Sequence, residues 1–184
     1  MRRLAMLLAG VALAGPAACT REPSNQPAAQ PHAQIAADGA GSDWPCFLGL
    51  TGDSKSSERG ILTAWPAEGP PLVWQLALGT GYSMPTIAAG RLYQFDRDGD
   101  HERLRCLESR TGKLLWKFEY ESDFEDLYGY DNGPRSSPLV DDGRVYIFGA
   151  EGMLHCLDAA AGKVIWKLNT AQEFAAYQDQ RVRT

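Results

Sequence analysis

Leu104-Arg105-Cys106-Leu107-Glu108-Ser109-Arg110-Thr111-Gly112-Lys113-Leu114-Leu115-Trp116-Lys117 returns fifty residues later as Leu154-His155-Cys156-Leu157-Asp158-Ala159-Ala160-Ala161-Gly162-Lys163-Val164-Ile165-Trp166-Lys167. A second pair lies just upstream of these. Met84-Pro85-Thr86-Ile87-Ala88-Ala89-Gly90-Arg91-Leu92-Tyr93-Gln94-Phe95 returns as Ser137-Pro138-Leu139-Val140-Asp141-Asp142-Gly143-Arg144-Val145-Tyr146-Ile147-Phe148, shifted by 53 residues. The first copy therefore carries three extra residues, in the connection from Asp96 to Glu102. Self-similarity at such a period marks a module that cannot bury its faces alone and does so by stacking on its neighbours.

Each copy reads as four short strands. They open at Pro85 or Pro138, open at Arg91 or Arg144, end at Glu108 or Asp158, and centre on Trp116 or Trp166. Alternation places Leu114, Trp116 and Phe118 on one face, and Val164, Trp166 and Leu168 on the equivalent face, as in half-buried strands. Gly112 and Gly162 supply the positive φ of the turn into the fourth strand. The acidic residue four positions earlier can accept bonds from turn amides, and Thr111 adds a hydroxyl that Ala161 lacks, so the second turn is expected to be looser. A four-stranded meander repeated at this period is a blade of a β-propeller, and the fold class is all-β, with four-stranded antiparallel blades. Leu72-Val73-Trp74-Gln75-Leu76 reads as the fourth strand of a preceding blade. Two blades plus one outer strand fall short of the roughly four needed to close a ring, so the expectation is an incomplete propeller over residues 43–170. Residues 171–184 carry no further repeat and read as a truncated or frame-shifted tail.

Upstream of the repeats, residues 1–18 read as an export signal. Arg2 and Arg3 precede the apolar run Leu4 to Leu13, which is too short to span a bilayer. Two cleavage readings stand side by side: ordinary cleavage after a small residue, or Pro16-Ala17-Ala18-Cys19 as a lipobox with Cys19 as the lipidation site. Residues 19–42, rich in Pro, Ala, Gln and Gly, read as a disordered tether. The chain of 184 residues has a formal net charge of -5. It lacks the basic field that a phosphate backbone requires, and nucleic acid is not an expected partner.

The repeats resemble the PQQ-like repeat, the propeller of quinoprotein alcohol dehydrogenases. They match its signature at Gly and Trp in both copies, at Thr in the first (Thr111) and at Asp in the second (Asp158). The resemblance implies that Trp74, Trp116 and Trp166, with Gly112 and Gly162, dock blade on blade. Catalysis in that family would require a calcium ion held by oxygen ligands, a carboxylate base and, in many members, two adjacent cysteines, whereas Cys19, Cys46, Cys106 and Cys156 are well apart. No catalytic, cofactor-binding or metal-binding residue is therefore assigned, and PQQ and calcium are expected only if further blades supply their ligands. The favoured expectation is a non-enzymatic protein-binding or assembly scaffold, exported to the periplasm or bacterial cell envelope. It would meet an envelope protein as partner and touch the membrane only through an anchor at Cys19. The alternative is a piece of a PQQ-dependent quinoprotein dehydrogenase.

Three local features bear on binding. Gly79-Thr80-Gly81-Tyr82-Ser83 and Asn132-Gly133-Pro134-Arg135-Ser136 each precede an innermost strand, which makes Tyr82 and Arg135 the candidates to face a ligand at the channel mouth. Asp96-Arg97-Asp98-Gly99-Asp100 reads as a hairpin turn rather than a calcium loop, because its Gly comes too early. Glu119 to Asp131, with six acidic and four aromatic residues, reads as a solvated connection between the blades, with a cation- or sugar-binding loop as the alternative.

Overall fold

The computed structural model describes residues 41–61 and 63–175. The export signal, Cys19, nearly all of the tether and residues 176–184 of the tail lie outside the described residues. Two four-stranded antiparallel sheets follow one another along the chain, each in the order of its sequence. The first holds β1 (Thr86–Ala88), β2 (Arg91–Asp98), β3 (His101–Glu108) and β4 (Leu114–Glu121); the second holds β5 (Leu139–Asp141), β6 (Arg144–Phe148), β7 (Met153–Asp158) and β8 (Val164–Asn169). The three extra residues of the first copy lengthen its central hairpin. Strands β2 and β3 run eight residues each, against five and six for β6 and β7.

The register explains how one sheet covers the other. Tyr93, Cys106 and Trp116 lie opposite one another across β2, β3 and β4, as do Phe95, Leu104 and Phe118. With Val145, Ile147 and Leu157 of the second sheet, the buried members of these rows form one apolar cluster, on which Trp116, Phe118 and Tyr120 pack from the rim. Removal of these side chains from water is the principal force joining the blades. On the inner side, Trp44 exchanges two backbone bonds with Ile87 of β1 (2.8 and 2.9 Å), and Pro45 O accepts from Val140 N of β5 (2.8 Å). Residues 44 and 45 thereby tie the first strands of both blades together.

Two sequence expectations require correction. Residues 71–79 form no strand, so Trp74 does not stand on the outer strand of a preceding blade. The described residues upstream of it form turns and bends with no strand for it to pair with. Its side chain nevertheless donates from Nε1 to Ser109 O (3.0 Å), just as Trp116 Nε1 donates to Ala159 O (3.2 Å) at the equivalent point one blade on. The second correction concerns Leu114 and Val164. The register shifts between Cys106 and Leu107, and again between Cys156 and Leu157. These bulges pair Leu114 with Leu107 and Val164 with Leu157, on the opposite face from the tryptophans, because the extra residue absorbs one step of the alternation.

The turns into β4 and β8 are equally tight: Gly112 and Gly162 both have φ of 69°. The missing hydroxyl at Ala161 is made good by Asp158, whose Oδ1 accepts from Ala160 N (2.9 Å) and Ala161 N (2.7 Å). The tail opens with a single helical turn, α1 (Thr170–Glu173), capped by Asn169, whose side chain accepts from Gln172 N (3.1 Å).

Candidate functional site

The two loops singled out in the sequence meet. Tyr82 N donates to Pro134 O (2.9 Å), Gly81 N to Asp131 Oδ2 (3.1 Å) and Met84 N to Ser137 Oγ (3.0 Å). Tyr82 is left 58% exposed. Arg135 donates from Nη2 to Asp126 Oδ1 (2.6 Å), and its guanidinium lies over the Phe124 ring, 5.5 Å from its centre. Tyr130 N and Arg135 together hold the Asp126 carboxyl below the usual carboxylate range.

The connection between the blades is braced from beneath. Arg97, on β2, donates to Ser122 O (2.8 Å), Phe124 O (2.8 Å) and Asn132 O (3.0 Å), so a single side chain satisfies three loop carbonyls. Within the loop, Asp126 N donates to Asn132 Oδ1 and Tyr130 N to Asp126 Oδ2, both at 2.8 Å. The result presents Tyr128 and Tyr130 to solvent, at 75% and 76% exposure, with ring centres 6.1 Å apart. Aromatic faces and carboxylates held on a fixed loop suit recognition of another molecule.

Two buried polar clusters flank the first blade's hairpin. On one face Asp96 accepts from Gly79 N (2.7 Å), Arg103 (3.0 Å) and Arg105 Nη2 (2.6 Å). Arg103 reaches Asp98 as well, at 2.5 Å. The acidic hairpin is thus an arginine clamp holding the segment before β1. On the other face, at the seam between the sheets, Glu102 is fully buried and its carboxyl accepts from Tyr120 Oη (2.5 Å) and Ala150 N (3.2 Å). Burial pushes Glu102 up to about 7, the neighbouring Glu151 adding to the effect. His155, stacked 4.5 Å from the Tyr120 ring, is driven down to about 4, chiefly by burial.

Sequence reading missed Glu102, Tyr120 and Glu151. The available signal was parity: Glu102 shares the face of Leu104 and Cys106, so strict alternation carries its carboxyl inward. The described cysteines, Cys46, Cys106 and Cys156, are all unpaired. Asp96 is spent on two arginines and an amide, Glu102 faces another carboxyl, and among the described residues no group of three His, Cys, Asp or Glu side chains gathers as metal ligands would.

Comparison with known proteins finds one family match and several similar solved structures. Residues 100–182 match the family PQQ_2, described as outer membrane protein assembly factor BamB. Among solved structures, the chain is similar to the quinohemoprotein alcohol dehydrogenase from Comamonas testosteroni, with 26% identity over 52% of this chain and 14% of that one and a TM-score of 0.38. It is also similar to a europium-containing methanol dehydrogenase, with 18% identity over 50% of this chain and 16% of that one and a TM-score of 0.39. A third is BamB from Moraxella catarrhalis, with 18% identity over 50% of this chain and 36% of that one and a TM-score of 0.27. The chain thus spans well under two thirds of the length of each. No curated protein matches it. The fifty-residue repeat and the two four-stranded meanders it builds are those of an incomplete β-propeller, and the family match over residues 100–182 supports reading its two sheets as PQQ-like repeat blades.

Proposed function

We propose that this chain belongs to an exported, non-enzymatic scaffold of the bacterial cell envelope that binds a protein partner during assembly there. The observation that carries this reading is the match of residues 100–182 to a family described by an outer-membrane assembly factor. The geometry supports it in kind. The loop between the blades fixes Asp126 and Asn132 on its own backbone and turns two tyrosine rings outward, the kind of aromatic contact enriched at protein-binding surfaces. Attachment to the membrane in this reading is by lipid at Cys19.

The test is reconstitution. Unfolded outer-membrane barrel substrates are added to lipid vesicles carrying a purified assembly machine that lacks its propeller component, with and without this chain. Faster folding in its presence is expected, and Tyr128→Ala with Tyr130→Ala should remove most of the gain. An unchanged rate, with alcohol oxidation appearing when PQQ and Ca²⁺ are supplied, would overturn the scaffold in favour of the dehydrogenase.

A further inference from the structure

We propose that Glu102 and Glu151 hold one proton between them across the seam of the two blades, so that docking of blade on blade is linked to proton uptake. Glu102 comes from β3 of the first blade, and Glu151 from the turn between β6 and β7 of the second. Three oxygens crowd one point of this seam. A methyl group at Gly149 would collide with Tyr120 Oη, Glu102 Oε2 and Glu151 Oε1 together.

Donors to these oxygens are few. Glu102 Oε2 accepts from Tyr120 Oη (2.5 Å), Glu102 Oε1 from Ala150 N (3.2 Å) and Glu151 Oε2 from Ser122 Oγ (3.1 Å). Glu151 Oε1 is buried and has no partner. A proton on one carboxyl, donated to the other, satisfies that oxygen and removes one of two facing charges. Aspartic dyads hold a proton for the same reason, since two close carboxylates do not both ionise.

No cation stands in for that proton. Arg97 lies opposite Glu102 in register, but its guanidinium is spent on the carbonyls of Gly99, Ser122, Phe124 and Asn132. Tyr120 on β4 is pushed up by burial and by Glu102, so it stays a neutral donor. His155 on β7 is driven neutral by burial and by Lys167 of β8, which is itself exposed. Ser122 carries no charge. The sign follows from these groups. Glu102 rises from its ordinary 4.5 to about 7 in the closed seam. Support for docking is therefore complete below the ordinary value, is lost as pH rises through 7, and gives way to repulsion between two carboxylates.

The experiment is hydrogen exchange on the full chain between pH 5 and 8.5, corrected for intrinsic exchange, with residues 148–157 as reporter and the β2–β3 hairpin as control. Protection of the reporter should fall by up to about tenfold per pH unit between pH 5 and about 7 and level off above that, while the control stays flat. Glu151→Gln keeps a hydrogen-bonding group and removes the facing carboxylate, so it should lessen the fall. The infrared band of a protonated carboxyl should be present at pH 6 in the wild type and absent in Glu102→Gln. Flat protection in the wild type, a fall that Glu151→Gln leaves intact, or no such band at pH 6 overturns the proposal. The band in the wild type decides the matter even if Glu102→Gln fails to fold.

Discussion

A buried carboxylate between two arginines shows how much rests on one side chain. Asp96 is almost fully buried and joins Arg103, Arg105 and the Gly79 amide. Desolvation pulls the Arg105 guanidinium below its usual range, and removing the carboxylate would leave Arg105 buried with no anion and only the Ala77 carbonyl, and Arg103 with Asp98 alone. Asp96→Ala should therefore cost about 3–5 kcal/mol, read as a drop in denaturation midpoint at unchanged slope. An effect below about 1 kcal/mol would mean that water already reaches the pair. A second residue-scale expectation concerns the glycines beneath the tryptophans. A Cβ at Gly162 would lie 2.5 Å from the Trp116 ring, and one at Gly112 would lie 2.7 Å from Trp74, both at φ of +69°. Strain and overpacking act together, so Gly162→Ala should cost roughly 2–4 kcal/mol in chemical denaturation. The glycines were legible in the sequence as turn residues. Their closeness to an indole from the preceding part of the chain was implied only by the family resemblance, because Trp74 and Gly112 are brought together by tertiary packing and not by the turn. The role of Asp96 was hidden for a similar reason: Arg103 lies across the hairpin in register, and only the paired strands reveal the match.

At the scale of the element, the same sequence position takes on different energetics in the two blades. Phe95 and Phe148 are equivalent in the repeat, as are Tyr93 and Tyr146. Yet Phe95 is fully buried whereas Phe148 is 42% exposed, because the first blade's row of Tyr93, Phe95, Leu104 and Trp116 meets the second blade and the second blade's own row meets solvent. Phe95→Ala should cost about 3–5 kcal/mol, while Phe148→Ala should cost about 1 kcal/mol or less. Parallel denaturation of the two variants checks the difference, and equal losses would show that something already covers Phe148. Strand number, order and turn positions could all be read from the repeat, because apolar alternation and turn glycines act locally. What alternation could not show was the bulge beside Trp116, which depends on pairing with β3. Nor could it show that Trp74 keeps its docking bond without a strand to stand on, since the indole needs only Ser109 O and the Gly112 turn.

At the scale of the whole molecule, one seam among the described residues is closed and one face is open. Trp116 is half-buried against the second blade and bonded to Ala159 O, whereas its counterpart Trp166 is 42% exposed and touches Tyr146 of its own sheet, ring centres 6.1 Å apart. Leu154 and Leu168 extend the same row beside Phe148. An apolar face of this kind, next to the unpaired edge of β8, attracts another surface whenever one is available. In dilute solution the available surface is another copy, so the chain should self-associate with rising concentration. Trp166→Glu places a charge in the middle of the row and should weaken that association by at least about tenfold, since burying an unpaired carboxylate costs more than the 1.4 kcal/mol that a tenfold change represents. Sedimentation velocity over a concentration series measures the effect. Because Trp166 supports no seam among the described residues, the variant should keep the melting temperature of the wild type, whereas Trp116→Glu should unfold the first blade from the second. Association that survives Trp166→Glu would place the contact elsewhere, the exposed Tyr128 and Tyr130 pair being the next surface to substitute.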